Sequence, residues 1–426
     1  MRIKSFLILL VYKTITLFLA PLAVIFISYK RRKDPKYGFR ILELIGIYFG
    51  KGYKKSVWFH AASFGEVNAL KPFIVEFNKQ HPEQNIVLTT MTTTGAQAGS
   101  SLRDVNLRYV PLDSSLGLRA FFCKFHPQLL IIIDTELWPN MIDIAHSKNC
   151  PVIIINARMQ EKNCNAYLKH EDLVKDLIGK RLSKVLCVAY SDKERFEKIG
   201  VNPHNIAVTG NLKYDLVPRE GLYKNAKCIK EKILGNRVFG AISIHEGEEI
   251  TILNAFLKAK LSRSKIKMVI VPRHLAIVKN ITSFLDKNNC SYSRKSELLN
   301  ISDFSAEVLI GDTIGEIESY LGLCDVVFMG GSFISTGGHN PLEPAFFSLP
   351  LITGPDYHNF AELFDKLIEC GGCFLATDEY SLTKIMLKLL FDNELKISTG
   401  VKALDIQQQG RGAIQRSMNY INDFLK

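Results

Sequence analysis

Leu129-Leu130-Ile131-Ile132-Ile133-Asp134-Thr135-Glu136-Leu137-Trp138-Pro139-Asn140 passes from an unbroken apolar run straight into two carboxylates, a tryptophan and an asparagine. A short β-rich run with no polar alternation predicts a strand buried on both faces, as in parallel sheets, over 129–134. Comparable runs lie on both sides of it, at 57–61, 86–90, 107–111, 152–156, 185–190 and 206–209, with helix-length segments between them. A second series follows at 239–243, 268–272, 308–311, 326–329 and 349–352. Strands alternating with helices imply α/β architecture, and two such series imply two Rossmann-like domains.

The charged, turn-rich stretch 216–236 separates the two series and is expected to be a linker. The expected organisation is one domain over 30–215, a second over 237–405, and a 406–426 helix returning to the first. Ligands of such pairs bind beyond the C-terminal ends of the strands, in a crevice faced by both domains, so residues just after strands are the candidates.

Residues 1–29 are of another kind. Positions 6–29 are almost wholly apolar apart from Lys13 and three hydroxyl residues, and as a helix would extend about 36 Å, enough to cross a bilayer. Lys30, Arg31, Arg32, Lys33, Lys36 and Arg40 follow, which places the bulk of the chain on the cytoplasmic side. The basic cluster sits where a signal peptide would be cut, so a retained anchor is expected. An interfacial helix with Lys13 snorkelling and a kink at Pro21 is the alternative.

The 426 residues, 47% hydrophobic and 23% charged, exclude disorder, collagen and coiled coil. A net charge of +12 calls for an anionic partner without saying which. Nine cysteines without even, dense spacing read as reduced thiols, and the isolated Cys370-Gly-Gly-Cys373 lacks the second pair a zinc site needs.

The residues after the first strand are His60-Ala61-Ala62-Ser63-Phe64-Gly65-Glu66, where Gly65 permits a tight turn and Glu66 falls near a helix start. Glu66 alone also reads as a carboxylate favoured by the helix dipole. After the last strand of the first series comes Gly210-Asn211-Leu212-Lys213-Tyr214-Asp215. The second half carries Ser243-Ile244-His245-Glu246-Gly247-Glu248-Glu249, then Pro272-Arg273-His274, then Gly311-Asp312-Thr313-Ile314-Gly315-Glu316. Its densest segment is Gly330-Gly331-Ser332 and Gly337-Gly338-His339-Asn340-Pro341-Leu342-Glu343-Pro344, whose free amides and helix start are expected to hold a phosphate while Glu343 takes ribose hydroxyls. No Walker A or G-x-G-x-x-G is present, and His60, His245, His274 and His339 lack metal-ligand spacing, so no metal is expected.

Taken in order from about residue 5 to 410, these motifs, with Asn156-Ala157-Arg158 and Val271-Pro272-Arg273-His274, closely resemble those of the bacterial Kdo transferases. Those enzymes add 3-deoxy-D-manno-oct-2-ulosonic acid (Kdo) to lipid A precursors. Phe64, Ile244 and Ile314 depart from the family's more frequent Val, Thr and Met. The resemblance implies a GT-B fold, an inverting reaction with CMP-Kdo as donor substrate and no cofactor, and a lipid A precursor (lipid IVA) as acceptor. It implies that the 30–215 domain binds the acceptor and the 237–405 domain the nucleotide donor. It implies action at an anionic bacterial inner-membrane surface, with no nucleic-acid partner. By the same resemblance Glu66 is the general base, Glu136 and Lys213 are transition-state stabilisers, and Pro272, Arg273, Ile314, Gly315, Glu316, Asn340, Pro341, Leu342 and Glu343 contact CMP. The alternative is another membrane-associated GT-B nucleotide-sugar transferase.

Overall fold

The computed structural model describes residues 2–30, 38–215, 218–232, 237–263, 265–298, 300 and 304–425. The basic residues Arg31, Arg32, Lys33 and Lys36 lie outside this set. The chain forms two units, Met1–Asp215 with Gly410–Lys426, and Leu216–Gln409.

The first unit is built on seven parallel strands: β1 Ser56–His60, β2 Ile86–Thr90, β3 Val105–Tyr109, β4 Pro127–Ile133, β5 Val152–Ala157, β6 Lys184–Cys187 and β7 Ile206–Val208, in the order β3-β2-β1-β4-β5-β6-β7. Parallel neighbours require crossovers, and these are helices such as Phe64–Gln80 and Ser115–Phe125, started where Ser63 and Ser114 accept the amides of Glu66 and Gly117. β1, β2 and β5 are buried along their whole length, because helices cover both faces of the sheet. The strand order reverses between β1 and β4, so the loops leaving these two strands are neighbours at the switch point.

The last helix, Ala413–Asn422, belongs to this unit. The Asp215 carboxylate accepts from the amides of Gly412 and Ile414, both at 2.5 Å, and Ser417 donates to Thr209 at 3.0 Å.

The N-terminal helix, Ile3–Lys30, runs unbroken through Pro21 and is long and apolar enough to cross a membrane. One stripe of it docks on the first unit. Ser5 donates to the buried Asp176 at 2.9 Å, the Tyr12 hydroxyl to Asp113 at 2.8 Å, and Asn140 to Thr16 at 3.0 Å. Lys13 pairs with Asp143 at 2.5 Å, so a protein carboxylate takes the place of the snorkelling that the interfacial alternative assigned to it. The opposite stripe, with Leu7, Phe18, Leu22 and Phe26, is exposed.

The second unit has its own seven parallel strands: β8 Arg237–Ile244, β9 Ile266–Pro272, β10 Tyr292–Arg294, β11 Val308–Ile310, β12 Val326–Met329, β13 Leu351–Thr353 and β14 Cys373–Leu375, ordered β10-β11-β9-β8-β12-β13-β14. Its switch point lies between β8 and β12. Two edge strands, β10 and β14, escape the sequence reading, each being three residues long and incompletely buried. Cys370-Gly-Gly-Cys373 is the turn into β14, with Gly371 at φ +76° and Cys373 buried.

The stretch expected to be a linker instead contains the helix Glu220–Lys232, packed on the helix Ile317–Leu323; its residues 216–217 and 233–236 lie outside the described set. Glu220, Lys224 and Lys227 are exposed, whereas Ala226 is buried and Lys230 pairs with Asp325 at 2.8 Å. A Cβ on Gly322 would stand 2.5 Å from the Tyr223 carbonyl oxygen and 2.8 Å from the Ala226 Cβ, so the approach of the two helices requires glycine there. The boundary expected at 405 falls inside the helix Asn393–Gln409.

Candidate functional site

In the first unit, the loops leaving β1, β4, β5 and β7 gather charged side chains. Ser63 and Glu66 form a reciprocal cap: the Glu66 amide donates to Ser63 Oγ at 3.4 Å, while the Glu66 carboxylate accepts from the Ala62 amide at 2.6 Å and from Ser63 Oγ at 2.9 Å. Burial holds the Glu66 carboxyl above its ordinary range; the two hydrogen bonds oppose this, and the charges of Asp134 and Glu136 add to it. Three carboxylates thus share one neighbourhood. Gly65 lies within the first helical turn rather than in a tight turn, and a Cβ there would meet nothing within 4 Å, so the helix start is open at Gly65.

Glu136 accepts the indole N–H of Trp138 at 2.6 Å. Its loop is anchored by Asn156, a buried residue at φ +53° whose Nδ2 donates to Asp134, itself at φ +61°, at 2.6 Å. The same Asn156 accepts the Leu212 amide through Oδ1 at 3.0 Å. One side chain therefore ties the loop carrying Glu136 to the short helix Leu212–Asp215 that carries Lys213. Left-handed backbone at two non-glycine residues is a conformational cost usually kept where function requires it. Burial and the Arg158 cation both push the Lys213 ammonium down, and Asp134 opposes them. Two cations beside three carboxylates make a site that can steady both signs of charge.

In the second unit the acidic residue after the first strand has another role. Glu248 is fully buried and accepts the amides of His245 at 2.9 Å, Gly331 at 2.6 Å and Phe333 at 3.3 Å. The Gly331 amide expected to hold phosphate is thus already taken. A Cβ on Gly330 would sit 2.8 Å from the Glu248 carboxylate and 2.5 Å from the Ser243 carbonyl oxygen, which explains a glycine at that position. The helix expected to start a phosphate site is only Leu342–Phe346, and Asn340 Oδ1 accepts its first amide at 3.2 Å. Cations and imidazoles remain: Arg273 is exposed at the end of β9, and His245 and His339 face each other, Nε2 to Nε2, at 2.7 Å, with the His274 ring 5.6 Å from that of His245. Loss of solvent, then the neighbouring rings and Arg273, bring His339 down to about 4, so the pair is neutral near pH 7.

Glu343 lies in a second grouping. Burial and then the Glu318 carboxylate push its carboxyl up to about 7, opposed by Arg219. Arg219 forks onto Glu318 at 2.8 and 3.1 Å and donates to the Gly315 carbonyl. Gly315 stands at φ +85° with open space beside it, and Ile314 is 88% exposed, an apolar side chain presented next to polar neighbours.

The family model of 3-deoxy-D-manno-octulosonic-acid transferases matches residues 39–216. The 3-deoxy-D-manno-octulosonic acid transferase of Haemophilus influenzae is 30% identical over 424 residues, 97% of this chain and 98% of its own. The chain belongs to the Kdo transferase family. The Aquifex aeolicus Kdo transferase is 28% identical over 350 residues, 82% of this chain and 90% of its own. A solved UDP-GlcNAc 2-epimerase from Neisseria meningitidis, 14% identical, covers 87% of this chain and 100% of its own at a TM-score of 0.52. At that identity it shows the fold alone, the GT-B class.

In this Kdo transferase the expected residues divide by unit. Glu66, Glu136 and Lys213 share the switch-point region of the first sheet. Pro272 and Arg273 end β9 beside the histidines, and Ile314, Gly315, Glu316 and Glu343 gather around Arg219, with Asn340, Pro341 and Leu342 joining the two groups along the chain. Two roles were missed. Arg219 lies in what reads as linker, and Asn156 sits inside a strand run; each takes its meaning from contacts 96–99 and 22–56 residues away.

Proposed function

We propose that the chain transfers Kdo from CMP-Kdo to a lipid A precursor, lipid IVA, with inversion at the anomeric carbon, on the cytoplasmic side of a bacterial inner membrane. The observation that carries this reading is the grouping of Glu66, Asp134 and Glu136 with Lys213 and Arg158 in a family member. A sugar hydroxyl is a weak nucleophile, so a carboxylate must take its proton during attack, and a carboxyl held above its ordinary range is the better base. Glu66 has that property, and its oxygens keep lone pairs beyond those used in the cap. As the bond to CMP breaks, the sugar gains positive character and the phosphate gains negative charge. Glu136 answers the first and Lys213, backed by Arg158, the second. The second unit holds the nucleotide, with Arg273 at the phosphate and Glu343 at the ribose.

The membrane part of the reading rests on the exposed apolar stripe of the N-terminal helix and on its docked polar stripe. A helix held lengthwise against a domain suits attachment within one leaflet. Mass spectrometry of the products from purified protein, lipid IVA and CMP-Kdo tests the function. The expected result is an acceptor heavier by one or more Kdo units with CMP released; an unchanged acceptor overturns it. With protein cations answering the leaving monophosphate, EDTA is expected to change turnover less than about twofold. Loss of activity in EDTA that Mg²⁺ restores would require an ion in the leaving-group chemistry.

A further inference from the structure

A cleft of about 220 Å³ lies within the first unit, between the N-terminal helix and the loops leaving β2, β3 and β4. Its walls are Leu19 and Ala23 of the helix, Met91, Leu112, and Trp138 with Met141. Tyr12, Thr16 and one carboxylate, Asp113, also line it, and Asp113 accepts the Tyr12 hydroxyl at 2.8 Å and the amides of Asn140 and Met141 at 3.1 and 2.9 Å. The Thr16 hydroxyl donates to the Tyr12 carbonyl at 2.9 Å and accepts from Asn140 at 3.0 Å. Water entering the cleft would find few partners, whereas a hydrocarbon would lose nothing.

Two neighbours identify the occupant. On one side the cleft merges with the apolar stripe of the helix, since Leu19 both lines it and is 54% exposed, and Leu22 and Phe26 continue that stripe at 60% and 64%. Trp138 also lines the cleft, and its indole N–H is bound to Glu136 at 2.6 Å, which links the cleft to the proposed chemistry. An apolar ligand seated here reaches from the hydrocarbon to the residue beside the reacting centre.

We propose that this cleft is a subsite for one acyl chain of the lipid acceptor, which positions the sugar headgroup at Glu66 and Glu136 by holding its tail against Trp138. The inference rests on the function proposed above. It makes the enzyme sensitive to the length of one chain of its own acceptor, not to the bulk lipid around it. Trp138 is here a positioning residue.

Full-length protein and its Ala23→Phe and Met141→Ala variants, assayed with CMP-Kdo on acceptors of graded acyl length and on the de-acylated headgroup, test this. Ala23→Phe narrows the cleft and is expected to lower the ratio of kcat/KM for acylated over de-acylated acceptor roughly tenfold, the effect of excluding about two methylenes. Met141→Ala widens it and is expected to move the preferred chain length upward. The opposite directions of the two shifts separate the subsite from a general loss of folding. An unchanged ratio and length profile in both variants overturns the subsite, as does a profile that follows the chain length of the vesicle lipid instead of the acceptor. Failure of the parent protein to transfer Kdo to any acceptor overturns the underlying function instead, so the two failures are distinguishable.

Discussion

Glu66 and Glu248 stand in corresponding places, each at the helix start that follows the first strand of its unit, and each accepts backbone amides. They differ in what surrounds them. Glu66 is half-buried and near two more carboxylates, whereas Glu248 is sealed and takes amides from two separate loops. The same fold position thus yields a partly exposed acid beside two further carboxylates in one unit, and a sealed acceptor of three backbone amides in the other. Hydrogen bonding alone does not mark a residue as structural.

The comparison breaks most sharply at Glu66. Glu66→Gln keeps the shape of the cap but cannot take a proton, so turnover is expected to fall about 100-fold or more, with CMP affinity and melting temperature nearly unchanged. Near-normal turnover would remove Glu66 from the chemistry. Glu248→Gln is expected to show the reverse, a loss of roughly 2 kcal/mol of stability from setting an NH₂ group against buried amide donors. Denaturant titration reads it, and an unaltered midpoint would show that this carboxylate carries no energy.

Asn156→Ala tests whether the tie between the Glu136 and Lys213 loops matters to rate. An expected loss of about tenfold in kcat, with KM for the donor little altered, would mark it as positioning; a fall in stability alone would make it a fold residue. The smallest effect concerns pH. Because Glu343 titrates near 7, it is the stronger, charged acceptor for ribose hydroxyls above that value, so CMP affinity is expected to rise severalfold between pH 6 and 8. The CMP phosphate titrates in the same range. Calorimetry of Glu343→Gln separates the two, since only the phosphate contribution survives there. An identical pH dependence in that variant would take the ribose away from Glu343.

Strands buried on both faces were readable because their apolar runs need no partner to be recognised, as at 129–134 against the observed Pro127–Ile133. The candidate residues were readable for a related reason: polar side chains stand out when they directly follow such a run. What stayed hidden depends on distant contacts. Nothing near Glu248 announces that it would occupy the amides at Gly331 and Phe333, 83 and 85 residues on. The short edge strand Cys373–Leu375 hides behind a cysteine pair that draws attention to metal chemistry.

The docked N-terminal helix has a consequence for the order of events at the ribosome. Ser5 is synthesised 171 residues before its partner Asp176, an interval of about 10 to 30 s at ordinary elongation rates. Through that interval the polar stripe has no domain to dock on, while the apolar stripe already requires shelter. If the helix attaches to a bilayer as proposed above, the bilayer supplies that shelter at once, and the domain then assembles onto a helix already lying at the lipid surface.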